Sequence, residues 1–125
     1  MASLALDKKA DNVVIINIKK LSSVSDYLFV CSAGSERQVQ AISDNIVHGL
    51  GLKGIKPLGT EGGREGKWAL LDFNDVVAHV FLEQVRIYYN IEGLWAEAPT
   101  LAVREKAPAR RPAAGSLKGK EAKGS

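Results

Sequence analysis

The chain's β-branched run, Val13-Val14-Ile15-Ile16-Asn17-Ile18, lacks the polar alternation of a half-exposed strand and predicts a strand covered on both faces, hence central in its sheet. Lys19 to Asp26 is polar and predicts a turn, and Tyr27 to Ser32 a second strand. The hydrophobic period then lengthens: Val39, Ile42, Ile46 and Leu50 recur along one stripe of a helix. Ser35 and Gln38 form a capping box at its start, and Gly51 is a stop signal at its end. Ile55 to Thr60 predicts a short strand, in which Pro57, with no amide hydrogen to donate, points to a sheet edge or an irregularity. Glu61 to Gly66 predicts a flexible loop. Lys67 to Phe73 and Val76 to Leu82 are two strands joined at Asn74-Asp75, a two-residue hairpin turn by composition. Leu4-Ala5-Leu6 can open a short leading helix, Glu83 to Asn90 a short later one, and Leu94-Trp95 folds back onto the body. There is no internal repeat.

The hairpin has two apolar faces. With Asn74-Asp75 at the turn, Phe73 opposes Val76, Leu71 opposes Ala78 and Ala69 opposes Val80, and side chains alternate along each strand. One face carries Ala69, Leu71, Phe73, Val76, Ala78, Val80 and Leu82, small and aliphatic as a helix-covered core requires. The other carries Trp68, Leu70, Asp72, Val77, His79 and Phe81, pairing Trp68 with Phe81 and Leu70 with His79. This second face is either another core layer or a surface for a partner. Aromatic anchors among polar groups, with few helices left to cover two faces, favour the partner. The expected fold is α+β (α/β): a mixed, roughly five-stranded sheet packed by helices, with a C-terminal antiparallel hairpin.

Length and composition fit one domain: 125 residues, 46% hydrophobic and 25% charged. The formal charge of +3 divides unevenly. From Arg104 onward seven basic and two acidic residues give +5, while the rest holds 10 basic and 12 acidic residues, a net of −2. The expected organisation is a domain over residues 1–102 followed by a basic tail over 103–125, disordered from Ala107 on where no apolar period remains. A slightly acidic body is a poor match for phosphates. Cys31 is the single cysteine, which excludes an intramolecular disulfide; within Leu28-Phe29-Val30-Cys31 it reads as a buried small hydrophobe. Met1 to Ala10 has no apolar signal core and no stretch is long enough to span a bilayer, so no membrane partner is expected and the cytoplasm is the expected location.

Catalytic patterns are present only in fragments. Gly49-Leu50-Gly51-Leu52-Lys53-Gly54 spells the dinucleotide fingerprint but closes a helix instead of opening one. Gly66-Lys67 is flanked by the wrong residues for a phosphate loop. His48 and His79 have no neighbours at metal-ligand spacing, and no serine lies on a nucleophile elbow. Gly34-Ser35 between strand and helix resembles the opening of nucleotidyltransferases, yet the next strand has no paired carboxylates to hold magnesium. Asp72 and Asp75 flank a turn, where Asp is expected on turn chemistry alone. No enzymatic activity, cofactor or metal is expected.

Five blocks, Asp26-Tyr27-Leu28-Phe29-Val30-Cys31-Ser32, Ser35-Glu36-Arg37-Gln38-Val39, Pro57-Leu58-Gly59-Thr60-Glu61-Gly62, Trp68-Ala69-Leu70-Leu71-Asp72 and Asp75-Val76-Val77-Ala78-His79-Val80-Phe81, resemble in order and spacing the ribosomal silencing factor family, also called RsfS or Iojap-like. The resemblance covers about residues 3 to 97. It implies a nucleotidyltransferase-like core without the catalytic carboxylates. It implies binding to large-subunit ribosomal protein L-fourteen where the small subunit would dock, blocking subunit joining and repressing translation under nutrient limitation. It implies partner contacts at Trp68, Leu70, Asp72, Val77, His79 and Phe81, with Glu61 and Gly62 beside them. It also allows a homodimer without naming the surface. Two alternatives stand beside it: an assembly or RNA-binding factor acting through the tail, and a degenerate nucleotide-binding protein near Gly34-Ser35.

The tail's +5 charge can add non-specific attraction to ribosomal RNA, worth about 1–3 kcal/mol at low salt and little at physiological salt. Ending the chain after Ala102 is therefore expected to leave folding and specific binding intact while flattening the salt dependence of ribosome binding. Loss of binding at physiological salt would make the tail part of the recognised surface.

Overall fold

The structure, a computed structural model, describes residues 1–62 and 66–103. Its elements are α1 (Ala2–Leu6), β1 (Asp11–Asn17), β2 (Tyr27–Ala33), α2 (Glu36–Gly51), β3 (Gly59–Glu61), β4 (Trp68–Asp72), β5 (Val76–Leu82), α3 (Glu83–Tyr89), α4 (Ile91–Leu94) and β6 (Thr100–Val103). The strands form one mixed sheet in the order β3-β4-β5-β2-β1-β6. β2 and β5 run parallel, and every other neighbouring pair is antiparallel. A parallel pair cannot be joined by a tight turn, so the chain leaves β2 through α2 and returns to β5 through β3 and β4.

The central position expected for β1 holds: it lies between β2 and β6. Val13 is buried in the core under α2 and Ile16 in the core on the opposite face. The α2 stripe of Val39, Ile42, Ile46 and Leu50 packs with Phe29, Cys31, Ala69, Leu71, Ala78 and Val80. The aliphatic hairpin face is thus the helix-covered face. The second core joins Ile16, Ile18, Leu28, Val30, Phe81 and Ala98, with Val77, Val85, Ile91, Trp68 and Trp95 packed against it.

The cap of α2 does more than the capping box requires. Ser35 Oγ accepts from the Gln38 amide at 3.1 Å as expected. The Gln38 side chain reaches one residue further back, accepting from the Gly34 amide at 2.8 Å, and donates to the Lys8 and Lys9 carbonyls at 3.1 and 2.9 Å. One side chain therefore ties the turn after α1 to the start of α2. At the other end the glycine-rich segment closes the helix, as its context indicates. Gly51 is still helical, however, and the left-handed residue is Gly54, with φ +81. Gly49 has a packing role: a Cβ there would lie 2.5 Å from Leu4 Cδ2, inside the α1 contact.

The hairpin register is the expected one, with Trp68 opposite Phe81, Leu70 opposite His79 and Asp72 opposite Val77. Phe73 N–H donates to the Val76 carbonyl at 2.9 Å across the turn. Asn74 takes φ +74, a conformation asparagine tolerates, and its amide donates to Asp72 Oδ1 at 2.8 Å.

Two expectations need correction. The sheet has six strands, because Thr100–Val103 returns to pair with β1. The hairpin is therefore not the last sheet element. β6 is short and exposed at Leu101, so its pairing partner defines it more than its own sequence does. It runs to Val103, one residue past the expected boundary, so a tail truncation should keep Val103. β3 is also shorter than Ile55 to Thr60, although it lies at the predicted edge. The tail from Arg104 on lies outside the described residues, as do residues 63–65 of the expected loop.

Sequence reading missed the charge that fastens the C-terminal segment to the sheet. Arg86 of α3 is 8% exposed. Its Nε and Nη2 donate to the two Glu92 carboxylate oxygens at 2.9 and 2.8 Å, and its Nη1 donates to Ser32 Oγ and the Asn12 carbonyl, both at 2.7 Å. The Asn12 carbonyl is free to accept because β1 breaks register between Asp11 and Val14. Removing the guanidinium strands three acceptors, one of them fully buried. Arg86→Ala should lower unfolding free energy by about 2–4 kcal/mol in urea titrations, and a loss below about 0.5 kcal/mol would show the network to be dispensable.

Candidate partner-binding face

Pairing across β3, β4 and β5 brings the predicted residues onto one face. Glu61 neighbours Leu70, which neighbours His79; Asp72 neighbours Val77; Trp68 neighbours Phe81. Their exposure divides them. Phe81 is 0% and His79 6% exposed. Trp68, Leu70, Asp72 and Val77 are half-buried, and Glu61 and Gly62 are exposed. The face is thus partly core: Val85 of α3, Ile91 of α4 and Trp95 after it join the cluster that buries Phe81. Phe81 has no surface to offer a partner directly and forms the floor on which Trp68 rests.

Trp68 stacks on Phe81 with centroids 5.0 Å apart and planes 28° from parallel. His79 lies parallel to Phe81, at 5.8 Å and 9°. The Trp68 Nε1–H donates to His79 Nδ1 at 3.1 Å. This bond makes Nδ1 the acceptor and puts the imidazole proton of the neutral ring on Nε2. Burial lowers the His79 pKa to about 4, so the ring is neutral at neutral pH. Trp68 also meets Tyr89 at 4.8 Å, and Tyr89 meets Tyr88 edge-on at 5.1 Å. Tyr88 is 81% exposed, so the aromatic surface continues from the hairpin onto α3. Sequence reading missed this extension. The available signal was Ile87-Tyr88-Tyr89, three consecutive large side chains that cannot share one buried stripe of a seven-residue helix.

Gly62 has a backbone role. It adopts φ +76, and a Cβ there would lie 2.0 Å from the Trp68 carbonyl oxygen. Only glycine lets the chain pass so close to the start of β4. The three hairpin-side strands contribute carboxylates at Glu61 and Asp72 and no lysine or arginine. Elsewhere, Cys31 is buried and its thiol pKa is pushed up to about 12 by burial, which fits a core residue. Among the described residues no three His, Cys, Asp or Glu side chains could hold a metal ion, and no helix is long and apolar enough to cross a membrane.

The family model described as "Ribosomal silencing factor during starvation" matches residues 1–125. The chain belongs to the ribosomal silencing factor family. It is 43% identical over 95 residues to the ribosomal silencing factor of Halalkalibacterium halodurans, covering 76% of this chain and 81% of that protein. It is 41% identical over 93 residues to the Bacillus subtilis silencing factor, covering 74% and 79%. A crystal structure from Chromobacterium violaceum superposes with a TM-score of 0.75 at 32% identity, covering 88% of this chain and 87% of that one. The mixed, helix-packed sheet is therefore the fold of solved silencing-factor relatives.

The buried imidazole gives this family member a pH-dependent stability. His79 binds its proton near pH 4 when folded and near 6.5 when unfolded. Between these values the unfolded chain holds more protons, so the stability is intact above pH 6.5 and is lost as pH falls. From pH 7 to 4.5 the loss should be about 2–3 kcal/mol in urea titrations. His79→Leu should flatten that interval, and an unchanged slope in the variant would assign the dependence to other groups.

Proposed function

We propose that this silencing factor binds large-subunit ribosomal protein L-fourteen through the hairpin face, occupying the place where the small subunit would dock and so preventing subunit joining when nutrients are scarce. The observation that carries the reading is the half-exposed Trp68, supported from below by Phe81, hydrogen-bonded to His79 and flanked by Tyr89. A large aromatic ring with a rigid, desolvated floor is the composition of an interface anchor. The carboxylates of Glu61 and Asp72 at its margin suit a positively charged partner, as a protein seated among ribosomal RNA phosphates must be. The work is steric, requiring only affinity and a bound volume in the path of the small subunit.

Purified subunits mixed with the protein and resolved on a density gradient test this directly. The native chain should co-migrate with large subunits and reduce the joined-ribosome peak. Trp68→Ala should weaken binding to isolated L-fourteen by about 2–4 kcal/mol, some 30- to 1,000-fold. Because Trp68 also covers Phe81, the variant should melt several degrees lower yet remain folded at 20–25 °C, where the titration is made. A folded Trp68→Ala chain that binds L-fourteen and blocks joining like the native protein would remove this face from the reading.

A further inference from the structure

The aromatic face contains one polar contact that hydrophobic packing does not require. His79 lies mid-strand on β5, 6% exposed, between Leu70 on β4 and Val30 on β2. A leucine would fill such a site without the desolvation of an imidazole. What leucine lacks is an acceptor, and His79 Nδ1 accepts the Trp68 indole N–H at 3.1 Å. The indole has a single donor, and the ring's other neighbours are the Phe81 and Tyr89 rings at 5.0 and 4.8 Å. Rotating the indole would break this bond. The imidazole itself is held parallel to Phe81, 9° between planes. A fixed acceptor thus selects one orientation of the half-exposed ring above it.

We propose that His79 is a positioning residue for the partner-binding face, its Nδ1 holding the Trp68 indole in the orientation that L-fourteen meets. This rests on the reading of Trp68 as the anchor. The ionisable side chains on elements around the imidazole are Tyr27 and Cys31 on β2, Glu61 on β3, Asp72 on β4, Glu83, Arg86, Tyr88 and Tyr89 on α3 and Glu92 on α4. Arg86 and Glu92 bind each other, and among the described residues Trp68 alone hydrogen-bonds to the imidazole side chain. The acceptor is therefore dedicated to the indole.

Four variants separate the possibilities: His79→Leu, which removes the acceptor; His79→Asn, whose Oδ1 takes the place of Nδ1; Trp68→Phe, which removes the donor; and the Trp68→Phe, His79→Leu pair. Each is followed by affinity for isolated L-fourteen and by the indole N–H resonances of the free protein, the Trp68 signal being the one lost in Trp68→Phe. His79→Leu should shift the Trp68 resonance, speed its exchange with solvent and weaken binding about 3- to 10-fold, the loss of one hydrogen bond. His79→Asn should stay within about twofold of native affinity, and adding His79→Leu to Trp68→Phe should cost nothing further. Positioning is overturned if His79→Leu leaves resonance and affinity unchanged while Trp68→Phe weakens binding, if Leu and Asn at position 79 are equally harmful, or if His79→Leu weakens the Trp68→Phe chain as much as the native one. If Trp68→Phe binds like the native chain, the indole N–H is not needed and the positioning role fails, whereas the anchor reading fails only if a folded Trp68→Ala also binds like the native chain.

Discussion

The burial of β5 on both faces is the constraint on which the rest of the structure depends. β5 pairs in parallel with β2 and antiparallel with β4, so it cannot be an edge, and from Ala78 to Phe81 it is buried on both faces. Alternation then forces a division of labour. Ala78 and Val80 accept the α2 stripe, while Val77, His79 and Phe81 face the opposite way. The second face must be covered by something, and the chain supplies only the short α3–α4 segment, fastened by Arg86 to Glu92, Ser32 and Asn12. That cover reaches Phe81 and His79 and leaves Trp68, Leu70, Asp72 and Val77 half in solvent.

A surface made this way is pre-organised. Its exposed members stand on strands, and Trp68 rests on a buried ring and a buried acceptor, so little conformational freedom would be lost on binding the proposed partner. The same placement makes the surface sensitive to the interior. Changes at His79 or Gly62 act on Trp68 without touching a partner, through a hydrogen bond in one case and backbone clearance in the other. Glu61 and Asp72 put carboxylates beside the apolar centre, which suits the basic partner proposed.

Much of this was legible in the sequence because it rests on period. The continuous β-branched run of β1, the α2 stripe, the Asn74-Asp75 turn and the hairpin register all follow from spacing and turn chemistry, and the register alone puts Trp68, Leu70 and His79 on one face. The features that escaped depend on contacts distant in sequence. β6 is defined by pairing with β1, 84 to 90 residues earlier, across the Ile16–Thr100 to Val13–Val103 ladder. The Arg86 network joins positions 12, 32, 86 and 92, none of which forms a local motif. Partial cover of the aromatic face was also illegible, since α3 and α4 are too short for a hydrophobic stripe to reveal which ring they shield. Phe81 therefore read as a surface residue, whereas it is buried beneath Trp68.

The central claim, that the half-covered hairpin face meets the large subunit, is tested most directly by a photoactivatable phenylalanine analogue placed at one position at a time. At Leu70, in the middle of that face, irradiation with purified large subunits should crosslink the chain to L-fourteen. At Leu52, 77% exposed just past the end of α2, it should not. Crosslinking to L-fourteen from Leu52 and not from Leu70, in chains that both co-migrate with the subunit, would contradict the account.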